Sequence, residues 1–117
     1  MLTVQIFGVK NSQATRAAER FFKERSIKLH LVDLKQKSMS PGEIKRFIDR
    51  FGLQCLIDTE GTAYVDAGLK YIRLPDPDLL RRIEQEPKLL RLPLVRSSNN
   101  RLSIGADPEA WKSMLTP

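Results

Sequence analysis

Apolar positions in the first third of the chain follow two spacings, one typical of strands and one typical of helices. An apolar run predicts a buried strand over residues 2–7, because β-branched and aromatic side chains suit a pleated, packed surface. Strict alternation of apolar and polar residues predicts a half-buried strand over 27–32. Helical spacing predicts a helix over 12–26 between them, with an inner face formed by Ala14, Ala17, Ala18, Phe21 and Phe22. This order predicts a right-handed βαβ unit with parallel strands.

The middle of the chain predicts helices. Residues 40–43, Ser-Pro-Gly-Glu, form a complete helix start, because the serine can cap, the proline needs no N–H and the glutamate can close a capping box. Apolar residues at helical spacing continue this helix to Phe51. Shorter helices are predicted over 53–58 and 62–69.

The last part of the chain predicts two more helices and a hairpin. Asp-Pro pairs, with the aspartate as the cap, open helices at about 76–86 and 107–115. Between them, a strand at 93–95 is joined by a turn at 98–100 to a partner strand at 101–104. The order of elements predicts an α/β fold with a four-stranded mixed sheet and helices on both faces.

Length and composition indicate a globular domain. The chain has 117 residues, of which 41% are apolar and 29% charged, which is ordinary for folded proteins. The domain is expected to span 1–117, with a helical insert over about 41–90. No apolar run approaches the roughly 20 residues of a membrane helix, and no secretory signal pattern is present. Because the chain has one cysteine, and so no internal disulfide, we expect a reduced, cytoplasmic protein.

The charge balance is basic but mixed. Lys and Arg total 20 against 14 Asp and Glu, which gives a net charge of +6 and an isoelectric point near 9.8. Such an excess favours binding to nucleic acid or to an acidic protein. Carboxylates interrupt most basic runs, as in Lys-Glu-Arg at 23–25, and this favours a mixed, solvated surface. Aromatic content is 7%, and no helix-turn-helix or zinc-finger spacing occurs, so no specific DNA binding is expected.

The loop between the first strand and the first helix, residues 8–12, Gly-Val-Lys-Asn-Ser, is the most informative stretch. Gly8 permits the turn out of the strand, and Asn11 or Ser12 can cap the helix. The loop points at a helix N-terminus, where free backbone N–H groups and the helix dipole favour an anion. A thiolate would be activated at this position. The residue that stands there is Ser12.

This stretch resembles the active-site loop of the arsenate reductase ArsC / Spx / YffB family of thioredoxin-like proteins. The resemblance continues through Phe-Gly-Leu at 51–53 and Asp-Thr-Glu-Gly-Thr at 58–62. It ends at 86–95, Glu-Pro-Lys-Leu-Leu-Arg-Leu-Pro-Leu-Val, which looks like the family's "HPxLLRRPI" signature. The resemblance covers nearly the whole chain and implies a thioredoxin-like fold. It also implies a cis peptide bond before Pro93, beside the active-site loop.

Three positions depart from the family pattern. Ser12 stands where members carry the reactive cysteine, Leu92 replaces the arginine that the resemblance assigns to oxyanion binding, and Glu60 replaces another arginine. Arg91 is retained, but along a strand-like segment its side chain should point to the opposite face from that of its neighbour. Arg16 either matches the family's basic position on the first helix or faces solvent.

Few of the remaining residues could act in catalysis. A serine hydroxyl needs an adjacent base, and no spacing brings the one histidine, His30, to the loop. Ser12 is therefore interpreted as a helix-capping or loop-ordering residue. Cys55 lies among apolar residues without a second cysteine, and we expect it to be buried and inert. No cluster has zinc-site spacing and no cofactor motif occurs.

These observations favour a catalytically inactive ArsC/Spx-like protein that acts as a binding or regulatory module, without a metal or cofactor. Two alternatives stay open, an arsenate reductase-like or glutathione-dependent thiol oxidoreductase and an Spx-like transcription regulator that binds RNA polymerase. The expected partners are RNA polymerase or another acidic protein, with glutathione or a small anion as ligand, and no membrane. No catalytic residue is assigned, and the candidate binding residues are Asn11, Ser12, Thr15, Arg16, Arg91 and Pro93.

Overall fold

A computed structural model describes residues 2–116 of the chain. In chain order, its strands and α-helices are β1 (Thr3–Gly8), α1 (Gln13–Glu24), β2 (Lys28–Asp33), α2 (Pro41–Phe51), α3 (Thr62–Asp66), α4 (Asp76–Gln85), β3 (Leu94–Ser97), β4 (Leu102–Ile104) and α5 (Pro108–Met114). Single 3-10 turns occur at Gln54–Leu56, Leu69–Tyr71 and Pro87–Leu89. The chain divides into two compact units. Unit 1 contains the residues up to Lys37 and those from Leu92 onward, and unit 2 is Ser38–Arg91.

Unit 1 contains the sheet, whose strand order is β2-β1-β3-β4. β1 pairs in parallel with β2, so that Gly8 lies opposite Asp33 at the end of both strands. On its other side β1 pairs antiparallel with β3, with Val4 opposite Ser97, and β4 completes a hairpin with β3. The predicted four-stranded mixed sheet and the parallel pairing of the first two strands are both confirmed.

Helices α1 and α5 pack against one face of this sheet. Buried side chains from the strands and from both helices form one cluster, Val4, Ile6, Ala18, Phe22, Val95, Trp111 and Met114. The rings of Phe21 and Phe22 lie edge to face with centroids 5.0 Å apart, and Trp111 packs against both. The inner face predicted for α1 is confirmed at its most buried positions, because the aromatic and small residues there meet the β1 side chains.

The hairpin turn between β3 and β4 lies where the sequence predicts it. The Ser97 N–H donates to the Arg101 carbonyl (2.9 Å), and the Asn100 N–H donates to the Ser97 carbonyl (3.0 Å). Asn100 has a φ of +65°, a region that asparagine adopts more readily than most residues. The Asn99 amide also donates to the Met114 carbonyl (3.1 Å), and this bond ties the turn to the end of α5.

In unit 2, α2 begins with the predicted capping box. Ser40 Oγ accepts the N–H of Glu43 (3.2 Å), and Glu43 Oε1 accepts the N–H of Ser40 (2.8 Å). Ile44 and Phe47 follow on the buried face, as their spacing predicts. The helix ends at Gly52, whose φ of +85° favours glycine over residues with a side chain.

Two of the shorter helices predicted in unit 2 are shorter still in the structure. The segment 53–58 contains only the single 3-10 turn at Gln54–Leu56. The helix predicted over 62–69 ends at Asp66, and a separate turn follows Gly68, which has a φ of +67°. The glycine breaks the helical path because it takes the left-handed conformation.

The two Asp-Pro helix starts behave differently. Asp107 Oδ1 accepts the N–H of Ala110 (3.2 Å) and caps α5, as predicted. The prediction that Asp76 caps α4 is wrong, because Pro75 occupies the N-cap position and no side chain caps this helix. Asp76 is instead the first helical residue, where its carboxylate lies near the positive end of the helix dipole.

Across residues 2–116, no helix combines the length and the apolar character that spanning a bilayer requires. The single domain over 1–117 with a helical insert at about 41–90 stays a prediction. The second compact unit, Ser38–Arg91, contains the segment assigned to that insert.

Candidate functional site

The loop after β1 is short and held by its own backbone. Val9 is buried, and its carbonyl accepts the N–H of Ser12 (3.1 Å), which closes the turn through Lys10 and Asn11. The Ser12 carbonyl then accepts the N–H of Arg16 (3.1 Å), the first hydrogen bond of α1. The chain therefore passes from the central strand of the sheet into a helix N-terminus within four residues.

Ser12 is the N-cap of α1. Its backbone is extended, with φ −84° and ψ 122°, and its Oγ accepts the N–H of Thr15 at 3.2 Å. This satisfies one of the N–H groups that the first helical turn leaves without a backbone partner. The interpretation of Ser12 as a capping residue is thus confirmed. The first turn of α1 contains no acidic residue, so no carboxylate offsets the positive end of the helix.

Gly8 is required by a close approach between β1 and α1. A Cβ built on Gly8 would lie 2.4 Å from Thr15 Oγ1 and 2.6 Å from Thr15 Cγ2, both well inside contact distance. Thr15 itself is 1% exposed, and its Oγ1 has no hydrogen-bond partner among the described residues. The glycine that the sequence assigns to a turn thus makes room for a buried hydroxyl at the helix N-terminus.

The structure places the one histidine away from this loop. His30 is exposed on β2 and lies opposite Gln5, three residues before Gly8. At about 3.3 Å per residue, this separates the two positions by roughly 10 Å along the strand. Asp33 lies opposite Gly8, but its Oδ1 already accepts the N–H of Lys35 (3.0 Å). His30 is therefore not placed to act as the base that a nucleophilic Ser12 hydroxyl needs.

A cavity of about 550 Å³ lies alongside α1 and is lined by cationic side chains. Lys10, Arg16 and Arg20 border it and form no ion pair with any residue in 2–116. Two carboxylates also line it: Glu19, whose Oε1 is paired with Lys23 Nζ at 2.8 Å, and Glu24, which has no ion pair within residues 2–116. With Lys23 the wall has four cations against two carboxylates, so it is net positive, and it includes the buried Thr15 noted above.

The structure brings together some of the predicted binding residues. Asn11, Ser12, Thr15 and Arg16 follow one another through the loop and the first turn of α1, and of these Asn11 and Arg16 are exposed. Pro93 belongs to the same unit; it is buried, the Leu92–Pro93 bond is cis, and its carbonyl accepts the Gly105 N–H (3.0 Å).

Of the remaining positions of the family pattern, Leu92 belongs to unit 1, whereas Arg91 and Glu60 belong to unit 2. Arg91 has an exposed side chain, and its N–H donates to the Leu56 carbonyl (2.7 Å). Glu60 is exposed in the turn before α3. Arg91 therefore belongs to a different compact unit from the loop with which the sequence groups it.

The expectation of a buried Cys55 is wrong, because the structure leaves this thiol exposed. It lies in the 3-10 turn Gln54–Leu56, whose neighbours Leu53, Leu56 and Ile57 are buried. A 3-10 turn has three residues per turn, so the side chains at 53 and 56 share the inward side while Cys55 faces outward. No group of three or more His, Cys, Asp or Glu among the described residues could hold a metal ion.

Sequence reasoning missed three cations of the α1 cavity, Lys23 and the two that have no ion pair within the described chain. Lys10 is two residues before Ser12, and Arg20 is four residues after Arg16, on the same side of the helix. The spacing of the two arginines could have revealed a shared face. The pairing of Glu19 with Lys23 was also predictable, because a glutamate four residues before a lysine on a helix lies next to it.

Comparison with known proteins identifies similar sequences and folds. The sequence model of the ArsC family matches residues 7–114, most of the chain. No curated protein matches the chain in sequence.

Three solved structures illustrate the similarity in fold. The YFFB protein superimposes with a TM-score of 0.82 at 17% identity, over 97% of this chain and 99% of that one. An arsenate reductase from Vibrio cholerae superimposes with a TM-score of 0.79 at 20% identity, over 97% of this chain and 98% of that one. An arsenate reductase (ArsC) related protein from Brucella melitensis superimposes with a TM-score of 0.66 at 16% identity, over 95% of this chain and 92% of that one. The four-stranded mixed sheet thus follows the thioredoxin-like layout of these structures.

Proposed function

We propose a function for this chain from one premise, that it belongs to the ArsC family, whose sequence model covers most of its length. We propose that it is a member without thiol reductase activity, which acts as a binding or regulatory module in the cytoplasm. The observation that carries this proposal is the use of Ser12 as a helix cap at the position where the resemblance implies the reactive cysteine.

The chemistry of Ser12 supports an inactive site. Family chemistry requires a thiolate, which a helix N-terminus favours by lowering the thiol pKa. A serine hydroxyl has no comparably accessible anion and depends on a neighbouring base. Here Ser12 Oγ accepts the Thr15 N–H, and His30 lies on the neighbouring strand β2, away from the loop.

The changed charges support the same proposal. The resemblance implies arginines where this chain has Leu92 and Glu60, so two guanidinium groups that would hold an oxyanion are missing. Leu92 is half-buried and apolar, and Glu60 is an exposed carboxylate that would repel an anion. Arsenate reduction would need both the thiol and these contacts.

A coupled thiol assay tests the proposal with arsenate and with a small disulfide as substrates. The wild type and Ser12→Ala should both show only the background rate. Ser12→Cys should restore little arsenate reduction, because the arginine contacts would still be absent. All variants should be repeated with Cys55→Ser, since Cys55 is exposed and could react with the assay reagents. Wild-type turnover that disappears in Ser12→Ala would contradict the proposal.

A second candidate function is the binding of a small anion or of glutathione at the α1 cavity. Such binding would be consistent with the alternative of an arsenate reductase-like or glutathione-dependent oxidoreductase. Lys10, Arg16 and Arg20 favour it, because they line the cavity without ion pairs among the described residues. Titration of phosphate, arsenate and glutathione, followed by backbone NMR shifts, tests it. Shifts confined to the loop and α1, and lost in Arg16→Ala/Arg20→Ala, would support this site.

The partner we propose is an acidic protein, and an Spx-like contact with RNA polymerase is one form of that proposal. The net charge of +6 supports an acidic partner, while the mixed surface disfavours specific DNA binding. A salt series separates the two. Duplex DNA should bind weakly and without sequence preference, and its affinity should fall steeply with salt, by a slope near −0.9 for each phosphate neutralised. Tight, sequence-dependent DNA binding at physiological salt would contradict this choice.

A further inference from the structure

The connection between α3 and α4 in unit 2 exposes apolar side chains beside a groove. The large apolar residues that are exposed in residues 2–116 are Val65 (61%), which lies in α3, and Tyr71 (86%) and Ile72 (49%), which lie in this connection. Leu69 and Leu79 are buried beneath it and line the groove, which has a volume of about 480 Å³. Scattered exposed apolar residues are ordinary, but a cluster beside a groove is typical of an interaction surface.

After the 3-10 turn Leu69–Tyr71, the backbone is extended at Ile72 and makes no backbone hydrogen bond at Arg73 and Leu74 within the described chain. The Ile72 N–H still bonds to the Leu69 carbonyl (3.4 Å), and Ile72 then adopts φ −125° and ψ 143°, a strand conformation. Neither Arg73 nor Leu74 makes a backbone hydrogen bond to any other residue described. Exposed donors and acceptors on an extended segment can pair with a second extended chain, as in β-augmentation.

The charged side chains that line this groove are all cationic. Lys70 and Arg73 line it, no carboxylate is among its lining residues, and neither cation is in an ion pair within the described chain. Lys70 Nζ lies 5.9 Å from the centre of the Tyr71 ring, so cation and aromatic face form one surface. Asp78, on the following helix, is paired with Arg81 and is not available to neutralise the groove.

We propose that Leu69–Leu74, here called the docking segment, binds an extended acidic segment of a partner protein. The partner's backbone would pair with Arg73 and Leu74, one of its apolar side chains would contact Tyr71 and Ile72, and its carboxylates would meet Lys70 and Arg73. The inference rests on the proposed role as a binding module and says where that binding takes place.

A second copy of this chain is a poorer occupant. The chain carries a net charge of +6, and a two-fold contact through the docking segment would bring Lys70 and Arg73 of both copies together. An acidic segment removes that repulsion and supplies the charges that the groove lacks. Sedimentation should therefore find a monomer, and a dimer that Tyr71→Ser/Ile72→Ser dissolves would overturn the assignment to a different protein.

Binding is tested with three fluorescent peptides of equal length. One is acidic with a central Leu-Phe pair, one is acidic with that pair replaced by Ser-Ser, and one keeps Leu-Phe but has Lys in place of the acidic residues. Fluorescence anisotropy should detect binding of the first peptide alone, weakened by added salt. Backbone NMR shifts with the first peptide should be largest over the docking segment.

Charge variants decide whether the site is local. Lys70→Glu/Arg73→Glu should weaken the acidic Leu-Phe peptide by about tenfold or more, because attraction becomes repulsion. The matched control is Arg46→Glu/Arg50→Glu, which makes the same change in net charge at two exposed residues of α2. Equal weakening in both variants, or no binding by the wild type, would overturn the proposal. The peptide experiment and the thiol assay are independent, so the docking proposal can fail while the proposal of a member without reductase activity stands.

Discussion

Ser12 and Ser40 begin two helices with the same hydrogen bond, yet the surroundings of the two serines differ. In each case the Oγ accepts the N–H of the residue three positions later, Thr15 or Glu43, at 3.2 Å. At α2 the Glu43 carboxylate returns a bond to the Ser40 N–H, which completes the capping box. At α1 the third residue is a buried threonine whose hydroxyl has no partner among residues 2–116.

The difference separates a helix start built for stability from one that leaves its N-terminus free of negative charge. The α2 start is exposed and compensated by a carboxylate, so nothing there attracts an anion. The α1 start has no acidic residue in its first turn and borders a cationic cavity. A serine cap is therefore compatible with either role, and its neighbours decide which chemistry the position retains.

The largest expected contrast is between two glycines, Gly8 at the end of β1 and Gly42 in the first turn of α2. Gly8→Ala should destabilise the protein by about 1–3 kcal/mol, because the new Cβ would lie 2.4 Å from Thr15 Oγ1. Gly42→Ala should stabilise it by about 0.5 kcal/mol, since Gly42 lies in the first turn of α2 with nothing within 4 Å of its Cβ position. Urea denaturation of both variants measures the two free energies of unfolding.

The double variant Gly8→Ala/Thr15→Ala identifies the cause of the first effect. Removing Oγ1 and Cγ2 of Thr15 leaves only its Cβ, 3.0 Å from the new methyl group, so part of the loss should be recovered. Losses that simply add would show that the strain at Gly8 does not come from Thr15.

Loss of either cap should cost a smaller amount. Ser12→Ala and Ser40→Ala each remove the acceptor for one helical N–H, and each should lower the free energy of unfolding by about 1 kcal/mol. The Ser40 cap should also be energetically coupled to Glu43, whose carboxylate is part of the capping box. Glu43→Ala should therefore lower the free energy of unfolding less in the Ser40→Ala background than in the wild type. Chemical denaturation of the four-variant cycle measures this. An unchanged midpoint for Ser12→Ala would mean that water replaces its hydroxyl.

The smallest effect concerns thiols placed at the two caps. In a Cys55→Ser background, Ser12→Cys should have a lower thiol pKa than Ser40→Cys, because Glu43 lies in the first turn of α2 and α1 has no such carboxylate. A lower pKa means more thiolate near neutral pH. The pH dependence of iodoacetamide labelling measures both values, and comparing the midpoints removes the effect of different exposure. A lower midpoint for Ser40→Cys would contradict the electrostatic contrast.

Periodicity and local capping chemistry were sufficient to predict most of the fold. The alternation in 27–32 predicts β2, and Ser-Pro-Gly-Glu predicts the start of α2, because these signals depend only on neighbouring residues. The loop at 8–12 and its capping serine were predictable for the same reason. The role of Gly8 was not, since the sequence cannot show that Thr15 approaches it.

Sequence patterns are less informative where tertiary placement decides the outcome. Cys55 is surrounded by apolar residues in sequence, but a tight turn directs it outward. The periodicity gives no prediction for Tyr71 and Ile72, which are both exposed where a 3-10 turn passes into extended chain before α4. The grouping of Arg91 with the loop at 8–12 joins residues of different compact units, and this part of the candidate site stays a prediction.

The discontinuity of unit 1 has a consequence for the order of folding during synthesis. Val4 pairs with Ser97, so the central strand β1 gains its antiparallel neighbour only after most of the chain has left the ribosome. Until then β1 can pair only with β2, while the continuous segment Ser38–Arg91 is already complete. Pairing Val4 with Ser97 closes a long loop, which is entropically unfavourable. Each doubling of the loop length adds about 0.6 kcal/mol to the free-energy cost of closing it. Of the strand pairings in the sheet, that of β1 with β3 therefore carries the largest cost of loop closure.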